Sequence, residues 1–195
     1  MHSRAMTSAL PRPSLRSLVA LGLLAPLSVV AGCGSDDETN EDTPPEFIQD
    51  MLEAHNATRA SATPTPSPAL EPLTWDTKAA AVARAHAAKC VFEHNSDRGN
   101  HGENITAATP DSLTTQGVVQ GWSSEAKDYD YATNRCADGE QCGHYTQVVW
   151  RDTKRVGCAT QTCTTHSPFG ARFPTWQFWV CNYAPPGNYV GQKPY

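Results

Sequence analysis

The sequence predicts one α+β layered domain with an antiparallel sheet, set behind an N-terminal leader and a polar tether. Three observations predict it. Apolar residues recur at helical spacing in the first half, aromatic and valine-rich runs with paired cysteines fill the last third, and no internal repeat divides the chain. Helices first and strands later mark a layered α+β fold rather than alternating βα units. A length of 195 residues suits one ordinary domain plus a leader, not two domains.

In chain order, residues 1–32 read as a leader. Arg4, Arg12 and Arg16, with no acidic residue beside them, precede an apolar run from Leu18 to Val30 that closes on Val30-Ala31-Gly32-Cys33. That is the pattern of an export signal. The run is too short to cross a hydrocarbon core of roughly 30 Å as a helix, and Gly22 and Pro26 weaken it further. An uncleaved anchor helix is the competing reading. The small residues before Cys33 resemble a bacterial lipobox, in which the cysteine is acylated and becomes the new N-terminus. Several acyl chains would then hold the domain at a membrane without a spanning segment. A plain secretory leader cut near the same place is the alternative. Residues 33–46 follow as a disordered acidic tether, containing GSDDETNEDTPP, which has too little apolar surface to order itself.

The domain is expected over residues 47–195. Phe47, Ile48, Met51 and Leu52, then Ala54 and His55, repeat at helical spacing through Arg59. The stretch ATPTPSP from Ala62 to Pro68 ends that helix, because proline lacks the N–H donor and its ring clashes with the preceding turn. A second helix starts at an Asp76 N-cap and runs through TKAAAVARAHAAKC. A third is expected over about Pro110 to Asp128, with proline early and Trp122 on its apolar side. Strands follow at Arg155 to Gln161 and Thr175 to Asn182, separated by a loop at Ser167 to Pro174.

Seven cysteines are present. Setting Cys33 aside for lipid leaves Cys90, Cys136, Cys142, Cys158, Cys163 and Cys181, an even set that implies disulfides in an oxidising, exported compartment. Their spacings are not those of a zinc knuckle. The full chain carries a net charge of −5, and loss of the leader removes only arginines, so the mature form is more acidic still. That argues against a nucleic-acid partner, which selects basic faces.

Four islands place a His or Glu beside residues that stop or redirect the chain: FEHNSD, HGENIT, WSSEAKDYD and GHYTQVVW. No HExxH, no GxSxG elbow and no phosphate-binding glycine loop accompanies them. The region from about Phe47 to Tyr195 resembles the CAP superfamily (cysteine-rich secretory proteins, antigen 5, pathogenesis-related 1; the SCP domain), and within it most the plant pathogenesis-related class 1 proteins. The resemblance is carried by GHYTQVVWRDTKRVGC, by FWVCNYAPPGNYVGQKPY, by His55-Asn56-Ala57-Thr58-Arg59 and by Gly102-Glu103-Asn104. It implies a three-layer α-β-α sandwich with a cleft that gathers His94, Glu103, Glu125 and His144. It also implies the pairing Cys90–Cys163, Cys136–Cys142 and Cys158–Cys181, which spacing alone does not select. The stretch TTHSPFGARFP is longer than the plant proteins lead one to expect, and His101, just before the GEN motif, is an extra candidate.

The chemistry of such a tetrad is open between two readings. His94 and His144 as neutral imidazoles can ligate zinc or another divalent cation weakly, with Glu103 and Glu125 holding the free ring N–H groups or activating water. Alternatively the four form a hydrogen-bonded scaffold. Tyr145 and Gln147 are read as lining the cleft, with packing as the equal alternative. His55, Asn56 and Arg59 are read as structural, and His86 and His166 as surface histidines. Three functions follow: an exported, lipid-anchored envelope or extracellular module binding lipid or sterol-like ligands; a structural or adhesive domain; and a metal-assisted, peptidase-like hydrolase.

Overall fold

One strand explains the layering. In Trp176–Ala184, Trp176, Phe178 and Val180 point to one face of the sheet, and Trp179, Cys181 and Tyr183 point to the other. Both sets are buried because side chains alternate along a strand and both faces are covered. The computed structural model describes residues 43–195. The leader, Cys33 and the tether up to residue 42 lie outside the described residues.

The elements run as follows. Helix α1 is Pro45–Ala60, strand β1 Thr74–Trp75, helix α2 Thr77–Ala87, strand β2 Gly102–Ala108, helix α3 Thr115–Ser123, followed directly by a 3-10 turn at Ser124–Asp128. A small hairpin of β3 Tyr129–Asp130 and β4 Arg135–Cys136 leads to the short helix α4 Gly143–Val148, then β5 Arg155–Cys163 and β6 Trp176–Ala184. The main sheet has the order β1-β5-β6-β2. Pairs β5–β6 and β6–β2 are antiparallel, as expected, while the two-residue β1 joins β5 in parallel. Helix α2 covers one face through Ala83 and Ala87 against Ile105, Ala159, Trp176, Phe178 and Val180. On the other face Met51, Trp122, Tyr145 and Val148 meet Val156, Trp179 and Tyr183. The result is the α-β-α sandwich. No helix among the described residues is long and apolar enough to cross a membrane.

Local differences from the sequence reading have local causes. Helix α1 begins at Pro45, two residues before the expected start, because proline at the first helical position sacrifices no hydrogen bond there. Asp76 caps α2 as expected, accepting from the N–H groups of Lys78 and Ala79. Helix α3 starts later than Pro110: Asp111 takes a left-handed φ of 59°, and Thr114 caps the helix by accepting from Gly117 N–H. Gly157 is required where α2 meets the sheet, since a Cβ there would lie 2.1 Å from Ala80 N. The disulfides are Cys90–Cys163, Cys136–Cys142 and Cys158–Cys181, the pairing the resemblance implied.

Helix α1 carries its polar residues inward. Asn56 donates to Leu73 O at 3.1 Å and accepts from Leu73 N at 2.7 Å, while Arg59 donates to the carbonyls of Glu71, Val148 and Trp150 at 2.8–2.9 Å. Burial, with Arg151 adding repulsion, pulls the guanidinium down to about 10. His55 is fully buried: its Nδ1–H donates to Met51 O at 2.7 Å, so Nε2 is left to accept from Tyr183 OH at 2.9 Å. Burial lowers His55 from 6.5 to about 4. The unfolded chain therefore takes up a proton at this residue below pH 6.5, while the folded chain resists until about pH 4. Its contribution to stability is complete above pH 6.5 and is lost as the pH falls toward 4, amounting to about 3 kcal/mol. Urea unfolding at pH 7 and pH 4 should show that loss in the wild type, and a His55→Gln variant should show a drop smaller by about this amount.

Candidate functional site

Two carboxylate–imidazole pairs come from four separate stretches. His94, on the loop after α2, has Nδ1 2.8 Å from Glu103 Oε1. His144, on α4, has Nδ1 2.6 Å from Glu125 Oε1. His94, Glu103 and His144 line one cleft of about 300 Å³. Glu125, expected to line the cleft, is not among its lining residues and reaches it only through its bond to the His144 ring.

The pairs differ in exposure. The His94 side chain is 57% exposed and that of its partner Glu103 only 1%. Glu103 stands at the start of β2 opposite Asn182, and accepts from Asn95 N–H at 2.8 Å and from Asn182 Nδ2 at 3.4 Å. Burial by itself would raise its carboxyl, but the hydrogen bonds from His94 and Asn95, with the nearby His86 and His94 imidazoles, hold it below the ordinary carboxylate value. Glu125, at the 3-10 turn, uses both oxygens: Oε1 on the His144 ring, Oε2 on the N–H groups of His144 at 2.9 Å and Tyr145 at 3.1 Å. Trp122 stacks on the His144 ring at 6.0 Å with 21° between planes.

Adjacent residues of the edge strand β2 serve both histidines. Glu103 holds His94, and Asn104 donates from Nδ2 to His144 O at 3.1 Å and to the Tyr183 oxygen at 3.1 Å. The GEN motif is the signal for Asn104, although the sequence assigned it no role. Asn95 acts through its backbone, and Asn188, which lines the cleft and donates to Gly143 O at 2.8 Å, acts from a turn with φ 59°. Neither use has a sequence signature.

Four further expectations need correction. Gln147 does not line the cleft; it is buried, donating to Thr153 Oγ1 at 3.1 Å and accepting from Gly187 N at 3.0 Å, because its face of α4 packs on the sheet. Tyr145 is also buried, and borders a different cavity described below. His101 turns its Nδ1 to Arg98 O at 2.7 Å and is not part of the cleft lining. His86 is no surface residue: 3% exposed, it sits edge-on to Phe178 with Nε2 2.7 Å from Glu93 O, since its face of α2 rests on the sheet. His166 is exposed, as expected.

With each Nδ1–H held by a carboxylate, the Nε2 atoms of His94 and His144 are left as acceptors or ligands, an arrangement typical of metal-binding histidines. No group of three or more His, Cys, Asp or Glu side chains among the described residues is arranged to hold a metal ion. A cation on these two rings would have to complete its coordination shell with water, unlike one in an enclosed structural site.

The larger cavity lies elsewhere. A groove of about 790 Å³ runs between α1 and α3, with Ala54, Ala57 and Thr58 on one wall, Gln116, Gln120 and Ser123 on the other, and Tyr129 and Tyr145 also lining it.

Fold and cleft together define a CAP-type sandwich, and the cysteine-rich secretory protein family matches over residues 52–183. The chain belongs to that family. A pathogenesis-related protein of PR-1 type from Sambucus nigra is 43% identical over 151 residues, covering 75% of this chain and 81% of that protein. Peptidase inhibitor 16 from Mus musculus is 42% identical over 147 residues, covering 75% of this chain but only 29% of its own length. The chain thus spans about three tenths of the peptidase inhibitor 16 proteins it matches. Among solved structures, Na-ASP-1 aligns with a TM-score of 0.64 at 26% identity over 83% of this chain and 44% of that one. NaASP2 with Zn2+ aligns with a TM-score of 0.62 at 24% identity over 78% and 86%, a likeness of fold alone. The disulfides fit an exported protein.

The bridges should differ in what they hold. Cys136–Cys142 spans a sequence separation of 6 and ends at the first turn of α4, whereas Cys90–Cys163 spans 73. Loop-closure entropy assigns about 2 kcal/mol to the first and about 4 kcal/mol to the second. Replacing Cys136 and Cys142 by serine should speed amide exchange at His144 and Tyr145 well before global unfolding, with a modest stability loss. Simultaneous exchange of these amides and the β6 core would contradict this.

Proposed function

We propose that this is an exported binding module, held at a membrane by acyl chains on Cys33, that takes an amphiphile with an alkyl or sterol-like body in the α1–α3 groove. The groove is the observation that carries the reading. Its volume of about 790 Å³ lies within the range of small-molecule sites. Its alanine and tyrosine lining suits an apolar stem, and Thr58, Ser61, Gln116, Gln120 and Ser124 in the same lining suit a polar head. The relatedness to pathogenesis-related proteins agrees with a binding role at a cell exterior but names no ligand.

Burying each methylene is worth about 0.8 kcal/mol, so every carbon added to a saturated fatty acid should tighten binding about fourfold until the groove is full. Ala57 is exposed on the groove wall, and Ala57→Trp should obstruct the groove and weaken binding while leaving the fold intact. Calorimetry with a chain-length series checks both. Affinity independent of chain length, or untouched by Ala57→Trp, would sink the reading.

The His/Glu cleft supports a second ligand, a divalent cation such as zinc on His94 and His144. When bound, such an ion would supply a Lewis-acidic charge at the cleft mouth. The protein's own part is orientation: Glu103 and Glu125 fix the ring tautomers. Both carboxylates already accept imidazole and backbone N–H groups, which favours a positioning role over that of a general base in a hydrolase. Zinc titration should lose nearly all heat in His144→Ala and about ten- to a hundredfold in affinity in Glu125→Gln. Equal affinity in all three proteins would remove the metal from this cleft.

A further inference from the structure

We infer that the groove and the cleft are one linked system, in which an occupant between α1 and α3 resets the His144 ring through the 3-10 turn Ser124–Asp128. This rests on the groove reading above and concerns how that site is regulated.

The turn has two working faces. Ser124 and Ala126 line the groove, and Glu125 between them reaches the opposite way to His144. The same division repeats on α4, where Tyr145 lines the groove and its neighbour His144 lines the cleft. Both residues give their N–H groups to one oxygen of Glu125. A shift of the turn by a fraction of a hydrogen-bond length therefore disturbs three bonds together: the ring bond at 2.6 Å and the two backbone bonds at 2.9 and 3.1 Å.

A second contact runs in parallel. Trp122, in the last turn of α3, stacks on the His144 ring and is tied to β2 through Nε1 to Thr106 Oγ1 at 2.7 Å. Ser123, the next residue, lines the groove and meets Thr58 of α1 hydroxyl to hydroxyl at 2.6 Å. An occupant that parts α1 from α3 acts on that bond, and the end of α3 moves with it.

The opposite side of His144 is fixed. Its carbonyl is held from the sheet by Asn104, which is itself held on Tyr183. Displacing Glu125 against this fixed point, with the Trp122 ring anchored to the same strand, reorients the imidazole rather than carrying α4 along. His94 is not on this route, because its partner Glu103 belongs to β2. Linkage makes the effect reciprocal: whatever binds His144 Nε2 changes groove affinity by the same factor.

The test is NMR on the isotopically labelled full chain, titrated with dodecanoate below its micelle concentration. Amides of Ala57, Gln116 and Gln120 report the groove; ring signals of His144 and His94 report the cleft. The His144 ring should shift with the same midpoint as the groove amides, and His94 should shift several-fold less. In Glu125→Gln the His144 response should shrink several-fold, with the groove amides of that variant as its internal standard. Saturation of the groove amides with an unmoved His144 ring overturns the linkage and leaves the groove reading standing. Equal shifts of both histidines overturn the route through the turn. Absence of any saturable groove shift overturns the groove reading, and the linkage with it.

Discussion

The phenol of Tyr183 is the fixed point of the molecule. It donates to His55 of α1 and accepts from Asn104 of β2, and the second hydrogen of the Asn104 amide reaches the His144 carbonyl. Each partner has only one workable role. Met51 O fixes the His55 tautomer, the tautomer forces Tyr183 to donate, and Asn104 must then supply the remaining hydrogens. Such a chain is stable only when every member is satisfied, because an orphaned polar group in a dry interior costs about 1–3 kcal/mol. Burial keeps His55 neutral, and the chain of bonds carries the rigidity of the core as far as the His144 carbonyl.

Helix α4 illustrates how the core imposes local structure. Six residues are too few to form a helix on their own, and Thr146 and Val148 are β-branched and favour strands. Both ends are clamped from outside. The Glu125 carboxylate takes the N–H groups of His144 and Tyr145 in the first turn, where a negative charge is also favoured by the helix dipole, and Arg59 takes the carbonyls of Val148 and Trp150 at the other end. Arg59 is a buried cation whose hydrogen bonds go to backbone carbonyls, which share its charge. The histidine that faces the cleft is thus held by residues 19 positions before it and 85 positions before it in the chain.

The two imidazoles are held with different freedom. His94 is open to solvent and rests on a buried carboxylate anchored to the sheet, so its support is rigid although its ring is accessible. His144 is more enclosed, and its carboxylate sits on a 3-10 turn shared with the groove. Short 3-10 segments have poorer hydrogen-bond geometry than α-helices and yield more easily. The cleft therefore joins one stiff half to one adjustable half.

The sequence by itself determined what depends on local periodicity and on chemistry readable residue by residue. The Asp76 cap, the alanine-rich face of α2, the proline stop after α1 and the doubly apolar β6 are set by neighbours a few positions apart. The long motifs carried the family, and with it the tetrad and the disulfide pairing. Only the tertiary structure decided which face of each element is covered. It buried His86 and Gln147, turned His101 away from the cleft, made a helix of Gly143–Val148 and set Glu125 between two cavities. Those outcomes depend on desolvation and on hydrogen bonds between residues tens of positions apart, and neither quantity exists until the chain has closed upon itself.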